Sequence, residues 1–282
     1  MTDMLAEFFE KQGIEYYGVL DYALAREINP AIMERENFEP RSVILFLLPY
    51  YAGECENLSR YAAARDYHIA IRHYTAELIE ELHRLFPGSS AKGYGDHSPI
   101  DECDAALSAG LGILGDSGLL INEKYGTYVF IADVVTDIPT EKLGQSGIAH
   151  PHKHCISCCA CRRACPTKAL SGEGECLSAI TQKKGALSDQ EEALILKHGC
   201  AWGCDFCQIA CPINRNALQS KTLLSPIPFF LTDTITFLTS DLIEKMPENE
   251  FNSRAYAWRK KETILRNLKL LENFKGNEND EQ

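Results

Sequence analysis

The chain has 282 residues, and with 45% hydrophobic and 24% charged residues it can form a packed core, which excludes a disordered or fibrous protein. Its longest unbroken apolar stretch, Val43–Leu48, is far below the ~18 residues of a membrane span, and its first residues carry acid where a signal peptide carries base. The formal net charge is −12. We therefore expect a protein of the cytoplasm with no membrane partner.

The first fifty residues predict two helices and two strands. Helical spacing over residues 4–13, ended by a glycine, predicts the first helix, and Tyr16–Tyr22 predicts a strand. A second helix is expected over Ala23–Glu34. The apolar run Ser42–Leu48 lies between two prolines and is rich in Val, Ile, Leu and Phe. This run predicts a strand that is buried on both faces.

The next hundred residues predict two more helices and a hairpin. Asp66–Phe86 has the pattern of one long amphipathic helix, ended by Pro-Gly. Pro99–Leu107 predicts a helix with Ser98 as its N-cap. Two strands, Gly118–Asn122 and Thr127–Thr136, are expected to pair as a hairpin. Strands and helices are therefore mixed, and the fold class is predicted to be α+β.

Composition divides the chain into four expected segments. The mixed domain covers residues 1–145 and ends in a stretch of glycines and prolines. A cysteine-rich domain follows over residues 146–220. We expect residues 221–275 to form a helical segment that packs back on the first domain. The polar residues 276–282 are expected to be a disordered tail.

The cysteines carry the clearest chemical signal. The chain has twelve, and ten of them fall within a 57-residue segment that begins at Cys155. In a reducing compartment such a density indicates metal binding rather than disulfides. The run Cys155-x2-Cys158-x2-Cys161-x3-Cys165-Pro is that of bacterial ferredoxins. In that run three closely spaced thiolates hold one 4Fe-4S cube, and the fourth reaches a neighbouring cube.

A second run, Cys204-x2-Cys207-x3-Cys211-Pro, has three cysteines, and Cys176 upstream can supply a fourth ligand. In the crossed arrangement of ferredoxins, eight thiolates then hold two cubes. Cluster one takes Cys155, Cys158, Cys161 and Cys211, and cluster two takes Cys165, Cys176, Cys204 and Cys207. Paired CxxC motifs also hold zinc, but zinc requires neither this spacing nor a proline after the last ligand. The other cysteines are expected to be small buried hydrophobes: Cys55, Cys103, Cys159 and Cys200.

The charge of the chain is distributed unevenly. Residues 1–150 hold 11 basic and 24 acidic side chains, whereas residues 151–225 hold 9 basic and 6 acidic ones. Arg254–Lys269 adds six basic residues against one acidic residue. This local patch suits phosphate groups, and a solvated helix face is the simpler alternative.

Several further segments resemble one family. The chain has no P-loop and no GxGxxG directly after a predicted strand, so neither of these signs of a nucleotide cofactor is present. Five segments instead resemble epoxyqueuosine reductases, in the same order along residues 38–270. They are Arg41-Ser-Val-Ile-Leu-Phe-Leu-Leu-Pro-Tyr-Tyr51, Arg60-Tyr-Ala-Ala-Ala-Arg-Asp-Tyr-His68, Asp96-His-Ser-Pro99, Ala109-Gly-Leu-Gly112 and Gly203-Cys-Asp-Phe-Cys-Gln-Ile-Ala-Cys-Pro-Ile-Asn214. The chain resembles a short member that lacks the helical-repeat extension.

The resemblance implies a cobalamin-dependent iron–sulfur reductase, related to reductive dehalogenases, that reduces the epoxide of epoxyqueuosine in tRNA to give queuosine. It implies a corrinoid-binding α/β sandwich domain followed by a ferredoxin-like domain with two 4Fe-4S clusters, whose electrons reduce the cobalt. No protein ligand is expected at the lower axial position of that cobalt. The implied corrinoid contacts are Arg60, Tyr61, Asp66, Tyr67, His68, Ser98, Gly110 and Gly112.

Asp96 falls at the position of the family's proposed general acid. Opening an epoxide leaves an alkoxide, and a positioned carboxyl that protonates it lowers the barrier. A carboxyl with an ordinary pKa of ~3.9 is ionised at neutral pH, so we expect the site to bury Asp96. The alternative is that Asp96 caps the helix near Pro99 or forms an Asx turn.

The sequence also departs from the family. Asp116, Ala64 and Ile213 stand where relatives usually have lysine, glycine and tryptophan. These departures and the acidic first half favour an alternative, a corrinoid-dependent reductase of a small molecule or of another corrinoid protein. A third alternative is an electron-transfer iron–sulfur protein whose first domain is a docking module. Under the leading hypothesis we expect a monomer whose partners are tRNA and an electron donor such as flavodoxin or ferredoxin.

Overall fold

The structure is a computed structural model that describes residues 4–144 and 155–280. Its internal contacts divide the chain into two units, and each is described here by itself. The sheet unit consists of Met1–Tyr50 and His68–Ser157, and the cysteine unit consists of Tyr51–Tyr67 and Cys158–Gln282. None of the helices formed by the described residues is long and apolar enough to span a membrane.

All strands formed by residues 4–144 and 155–280 belong to the sheet unit. In chain order they are β1 Tyr17–Asp21, β2 Ser42–Pro49, β3 Ala91–Tyr94, β4 Ile113–Leu114, β5 Leu120–Ile121 and β6 Val129–Thr136. Four of them form an antiparallel sheet in the order β1-β2-β6-β3, and β4 pairs with β5. Every residue of β2 is buried, as the continuous apolar run predicts.

Helices cover both faces of the four-stranded sheet. The helices of the sheet unit are α1 Met4–Gln12, α2 Pro30–Met33, α3 Tyr67–Leu85, α4 Glu102–Ser108 and α5 Thr140–Leu143. On one face, Phe9 of α1 lies 5.4 Å from the ring of Phe46. On the same face, α3 approaches so closely that a Cβ added at Gly93 would lie 2.4 Å from the Cβ of Thr75. The small residues Ala105 and Ala106 of α4 pack into the apolar cluster on the other face.

Two predictions for the sheet unit are wrong, and not every strand was predicted. The expected helix Ala23–Glu34 is a short 3-10 turn, Tyr22–Leu24, followed by α2, because proline is tolerated in the first turn of a helix and not in its interior. The turn of the expected hairpin forms an antiparallel bridge between Asn122 and Gly126, but its strands do not pair with each other, since β5 pairs with β4 while β6 pairs with β2 and β3. Strand β3 was missed, because AKGY shows no alternating apolar pattern. The other predicted helices and strands of the unit are confirmed within a few residues.

The cysteine unit is mostly helical. Its helices are α6 Ala160–Ala164, α7 Leu177–Thr181, α8 Asp189–His198, α9 Phe206–Ala210, α10 Pro212–Gln219, α11 Pro228–Leu231, α12 Ser240–Lys245, α13 Glu248–Phe251 and α14 Lys260–Asp280. Helix α14 packs on α7, α8 and α12. The fully buried rings of Trp202 and Tyr256 lie 6.2 Å apart in the core of this unit.

The division into units differs from the expected segments. Residues 51–67 group with the cysteine unit, because the backbone of Ser59 and Asp66 bonds to Trp202 and Ser253. The segment 221–275 belongs to the cysteine unit as well, and its apolar residues pack there with Leu58 and Ala62, which the sequence analysis assigns to the first domain. Helix α14 continues to Asp280, into the segment 276–282 that the sequence analysis predicts to be a disordered tail. Residues 281–282 of that tail, like the first part of the 146–220 segment, lie outside the described residues.

Candidate functional site

Asp96 lies in the loop that joins β3 to α4. Its φ of 63° is left-handed, a conformation that aspartate tolerates better than most residues. Its carboxylate oxygen Oδ2 lies 3.7 Å from Nε2 of His68 near the start of α3. The Asp96 side chain is 54% exposed, so the expected burial is not found within the protein alone. The pair therefore presents an acid and an imidazole at the surface of the sheet unit.

The helix-cap alternative for this loop is wrong. Helix α4 begins at Glu102, and its N-cap is Asp101, whose carboxylate accepts a hydrogen bond from the backbone N–H of Asp104 at 2.9 Å. Ser98, the expected N-cap, instead donates its hydroxyl to Oδ2 of Asp133 at 3.1 Å. Neither Asp96 nor Ser98 is thus required to begin the helix.

A buried pair of carboxyl groups lies behind this loop. Asp133 on β6 is fully buried and stands between Leu45 and Tyr94 in the sheet register. The carboxyl of Glu102, at the start of α4, hydrogen-bonds to Asp133 and accepts the backbone N–H of Asp96. Burial raises the pKa of both carboxyls, and that of Glu102 further because Asp133 and Asp96 add negative charge. The sequence analysis missed both residues, although an aspartate in the middle of the apolar run Val129–Val135 was a signal.

The two glycines implied as corrinoid contacts have local roles in the fold. Gly110 ends α4 with a φ of 78°, and its N–H donates to Leu107 O at 3.0 Å. A Cβ at Gly112 would lie 2.6 Å from the carbonyl oxygen of Ile121, so only glycine fits there without movement. Each glycine is therefore explained by backbone geometry without any ligand.

Arg60 is a buried residue of the cysteine unit. Its guanidinium pairs with Oδ2 of Asp205 at 3.3 Å and also with Glu54. Asp205 accepts three more hydrogen bonds, from Ser59 Oγ at 2.5 Å, the Arg60 backbone N–H at 2.8 Å and Gln208 Nε2 at 2.9 Å. This network joins the segment before α3 to the second cysteine motif.

The other implied contacts before α3 are fixed within the same unit. Tyr61 accepts a hydrogen bond from Nε1 of Trp202 at 2.8 Å. The Asp66 backbone N–H donates to Ser253 O at 2.7 Å, and the ring of Tyr67 meets that of Tyr61 edge-on at 6.3 Å. Arg60, Tyr61, Asp66 and Tyr67 thus lie together in the cysteine unit, whereas His68, Ser98, Gly110 and Gly112 belong to the sheet unit.

The two cysteine motifs have the same local structure. Each contains a five-residue helix. Helix α6 starts one residue before Cys161 and ends one residue before Cys165, and α9 has the same position relative to Cys207 and Cys211. Cys165 and Cys211 occupy equivalent C-cap positions, with φ of −65° and −66°. Each of these cysteines is followed by proline, so the backbone leaves the helix at the equivalent residue in both motifs. Helices α6 and α9 pack against each other. This duplication is the arrangement expected for a double-cluster domain.

Cys176 lies close enough to the second motif for its charge to act on the thiols of that motif. Burial raises the pKa of the Cys204 and Cys207 thiols to about 12, and the charge of Cys176 raises both further. Burial also acts on Cys165, but backbone N–H groups of Leu170, Thr167 and Ala169 outweigh it and lower its pKa. Iron binding would supply the positive charge that buried thiolates need. The donor set therefore fits a thiolate-bound cluster.

The remaining cysteines follow the expectation only in part. Cys55, Cys103 and Cys200 are partly buried, and burial raises the pKa of each thiol. Cys159 is exposed and has a left-handed φ of 56°, so the expectation of a buried hydrophobe is wrong there. Among the described residues, no three His, Cys, Asp or Glu side chains are grouped as ligands of a single metal ion.

The expected basic patch is largely occupied by contacts within the cysteine unit. Four of its six cations bind carbonyls or carboxylates there: Arg254, Lys261, Arg266 and Lys269. Arg254 is only 3% exposed. Arg259 instead lies over the ring of Trp258 at 3.7 Å, and that ring is 58% exposed.

Two family models match segments of the chain. Residues 34–96 match the family model "Epoxyqueuosine reductase QueG, DUF1730", and residues 154–214 match "4Fe-4S double cluster binding domain". The epoxyqueuosine reductase of Lactococcus garvieae is 32% identical over 219 residues, which cover 75% of this chain and 60% of that protein. The epoxyqueuosine reductase of Gloeobacter violaceus is 32% identical over 222 residues, which cover 75% of this chain and 68% of that protein.

Solved structures show the same fold. The epoxyqueuosine reductase of Streptococcus thermophilus superposes with a TM-score of 0.75 at 21% identity, over 95% of this chain and 79% of that one. An epoxyqueuosine reductase with a tRNA-Tyr epoxyqueuosine-modified stem loop gives a TM-score of 0.74 at 23% identity, again over 95% and 79%. The chain spans 60% to 68% of the length of the two curated relatives. Because it is 32% identical to the Gloeobacter protein and covers 68% of that protein, the chain belongs to the epoxyqueuosine reductase family.

Proposed function

We propose that this chain reduces the epoxide of epoxyqueuosine in tRNA to queuosine, with two 4Fe-4S clusters and a corrinoid as cofactors. The observation that carries the proposal is the duplicated cysteine helix, α6 and α9, in a chain whose relatives are epoxyqueuosine reductases. Support also comes from the position of Asp96 in an exposed loop beside His68. We place the protein in the cytoplasm as a monomer, with flavodoxin or ferredoxin as electron donor.

The cluster ligands follow the crossed arrangement. The proximity of Cys176 to Cys204 and Cys207 supports their common membership in cluster two, with Cys165 as the fourth ligand. The N–H groups that surround Cys165 suit a thiolate, because they stabilise its negative charge. Cluster one takes Cys155, Cys158, Cys161 and Cys211.

The corrinoid would be held by polar groups around the start of α3. His68, of which 39% is exposed, and Asp96 offer hydrogen-bonding groups that suit the amide-rich rim of a corrin ring. Arg60, Tyr61, Asp66 and Tyr67 precede His68 in the chain. Ser98, Gly110 and Gly112 act through the fold, since the Ser98 hydroxyl is occupied by Asp133 and the glycines allow tight turns. When bound, the corrinoid supplies a cobalt centre that passes electrons from the clusters to the epoxide.

The protein's own residues supply protons. Removing an epoxide oxygen as water takes two electrons and two protons and leaves a carbon–carbon double bond. The Asp96 carboxyl would protonate the oxygen as the C–O bond breaks, which avoids a free alkoxide. His68 is within 3.7 Å of Asp96 Oδ2 and orients that carboxyl. The exposed Trp258 with Arg259 over its ring offers a surface that suits nucleic acid, since bases stack on aromatic rings and phosphates bind arginine.

The experiment that tests this proposal compares Asp96→Asn with wild type. Asparagine keeps the shape and removes the transferable proton, so we expect cobalamin binding to persist while queuosine formation falls about 10²-fold or more. Asp104→Asn, a change at another acid of the same unit, should leave both unchanged. Unchanged turnover in Asp96→Asn would remove Asp96 from the mechanism. Loss of cobalamin binding would show a structural role instead.

A further inference from the structure

The buried carboxyls of Glu102 and Asp133 form a pair that the mechanism above does not use. Asp133 is fully buried in the apolar cluster under α4, and Ser98 Oγ donates to its Oδ2 at 3.1 Å. Two oxygens of the pair, Glu102 Oε1 and Asp133 Oδ1, are buried and meet no N–H or hydroxyl donor among the described residues. Since the two carboxyls contact each other, a proton held between them would satisfy these oxygens.

The surroundings of the pair favour a single bound proton. The titratable groups that face it are Asp96 in the loop, Tyr94 on β3 and Tyr22 after β1. Burial raises the pKa of both phenols, so they remain neutral, and Asp96 adds negative charge. No lysine or arginine of the described residues forms an ion pair with either carboxyl. Two carboxylates this close cannot both ionise in a buried site, which is why one of them stays protonated.

We propose that Glu102 holds this proton at neutral pH and passes it to Asp96 during removal of the epoxide oxygen. The inference rests on the proposed function and assigns the source of one of its two protons. The backbone N–H of Asp96 donates to the Glu102 carboxyl, and the charge of Asp96 acts on that carboxyl, so the Asp96 loop lies against Glu102. Glu102 acts through Asp96 and is therefore a positioning residue rather than a catalytic one.

The proton transfer balances over one turnover. Asp96 gives its proton to the epoxide oxygen as the C–O bond breaks and becomes a carboxylate. Glu102 then transfers its proton to the Asp96 carboxylate, which delivers it to the departing oxygen, and that oxygen leaves as water. The two electrons come from the cofactors of the proposed function. The pair is left with two negative charges, and Asp96 is left as a carboxylate. One proton from solvent returns to the pair, because its doubly charged state is disfavoured when buried, and a second returns to Asp96.

The test uses reconstituted protein with clusters and cobalamin, and it has two measurements. Infrared difference spectra follow the C=O band of protonated carboxyl groups as the pH is raised. Single-turnover rates of queuosine formation from an epoxyqueuosine-containing tRNA stem loop are measured over the same pH range. The variants are Glu102→Gln and Asp133→Asn, and Asp104→Asn is the matched control on the same helix.

The expected results separate a proton source from a structural role. Wild type should show a carboxyl band that persists above the normal range of glutamate, and Glu102→Gln should lack it. Asp133→Asn should shift the loss of the band to lower pH, because the charge that holds the proton is gone. Glu102→Gln should slow turnover about 10-fold or more at neutral pH, with recovery toward the wild-type rate in acid, where solvent protonates Asp96 directly. Asp104→Asn should match wild type in both measurements.

Three results would overturn the inference. One is the absence of the persistent band from wild type, and another is an unchanged rate in Glu102→Gln. The third is a rate lowered by the same factor at every pH, which would indicate a structural effect. Failure of the proposed function gives a different pattern, in which wild type forms no queuosine while the band is present and disappears in Glu102→Gln. That pattern would overturn the transfer to Asp96 and leave only the shared proton.

Discussion

Asp205→Asn should destabilise the cysteine unit far more than Glu54→Gln, although both carboxylates bind the same guanidinium of Arg60. Asp205 is 6% exposed and accepts four hydrogen bonds, two of them from Arg60. The Glu54 side chain is 63% exposed, whereas that of Arg60 is 6% exposed. The comparison therefore keeps the cation constant and contrasts a buried partner with four hydrogen bonds against an exposed one.

The magnitudes follow from that difference in burial. Asparagine at position 205 keeps the shape but leaves a buried guanidinium without its buried counter-ion, and it turns an N–H donor toward the donors of Arg60. Breaking a buried pair by removing one partner costs about 3–5 kcal/mol. An exposed pair contributes about 0–1 kcal/mol because water screens it. We therefore expect Asp205→Asn to lose at least about 2 kcal/mol more unfolding free energy than Glu54→Gln.

Urea unfolding at equal iron content measures the effect, with circular dichroism and tryptophan fluorescence as probes. Trp202 is fully buried in the same unit, and its indole bonds to Tyr61, so its emission reports on this region. Iron and sulfide analysis of each variant is the control for cluster loss. Equal shifts of the two unfolding midpoints, at unchanged slope, would refute the assignment of Arg60 and Asp205 as a buried structural pair.

Three further predictions concern stability and cluster content. Burial raises the pKa of Glu102 from 4.5 to about 9. Between these two pH values the folded state keeps a proton that the unfolded state loses, so the unfolding free energy of wild type should fall as the pH rises from 4.5 to about 9. Glutamine at position 102 cannot titrate, so the unfolding free energy of Glu102→Gln relative to wild type should rise by up to ~1.4 kcal/mol per pH unit over this range. Urea unfolding at several pH values measures it, and a difference that does not change with pH would contradict this prediction. Reconstituted wild type should carry about eight irons and eight labile sulfides per chain. Cys176→Ser should carry about half of that content and Cys159→Ser all of it, so loss of a cluster in Cys159→Ser would contradict the ligand sets. Gly93→Ala should destabilise by about 1–3 kcal/mol, because its Cβ would lie 2.4 Å from Thr75 Cβ, and an unchanged urea midpoint would show that α3 yields freely.

Features encoded by neighbouring residues could be predicted from the sequence. Strand β2 is a continuous apolar run, and α3 has a long amphipathic pattern, so both are visible without knowing what they contact. The cysteine motifs are local in the same sense, because the spacing of ligands along a short helix is fixed by the chain itself. The family resemblance also rests on such segments, and the curated relatives confirm it.

Features that depend on distant partners could not be predicted. The strand after β5 reads as half of a hairpin, but β6 pairs with β2 and β3, and no local signal distinguishes these partners. The contact of Glu102 with Asp133 joins a helix to a strand and arises only after the sheet forms. Arg60 reads as a ligand contact in a motif, whereas its burial and its pairing with Asp205 become apparent only in three dimensions.

Queuosine formation by the fully loaded protein tests the central claim most directly. Wild type would be reconstituted anaerobically with iron, sulfide and cobalamin, reduced chemically, and given an epoxyqueuosine-containing tRNA stem loop, with queuosine measured by mass spectrometry of the digested RNA. We predict that queuosine forms and that omission of either cobalamin or the clusters abolishes it. Protein that holds about eight irons and bound cobalamin, yet forms no queuosine, would contradict the account.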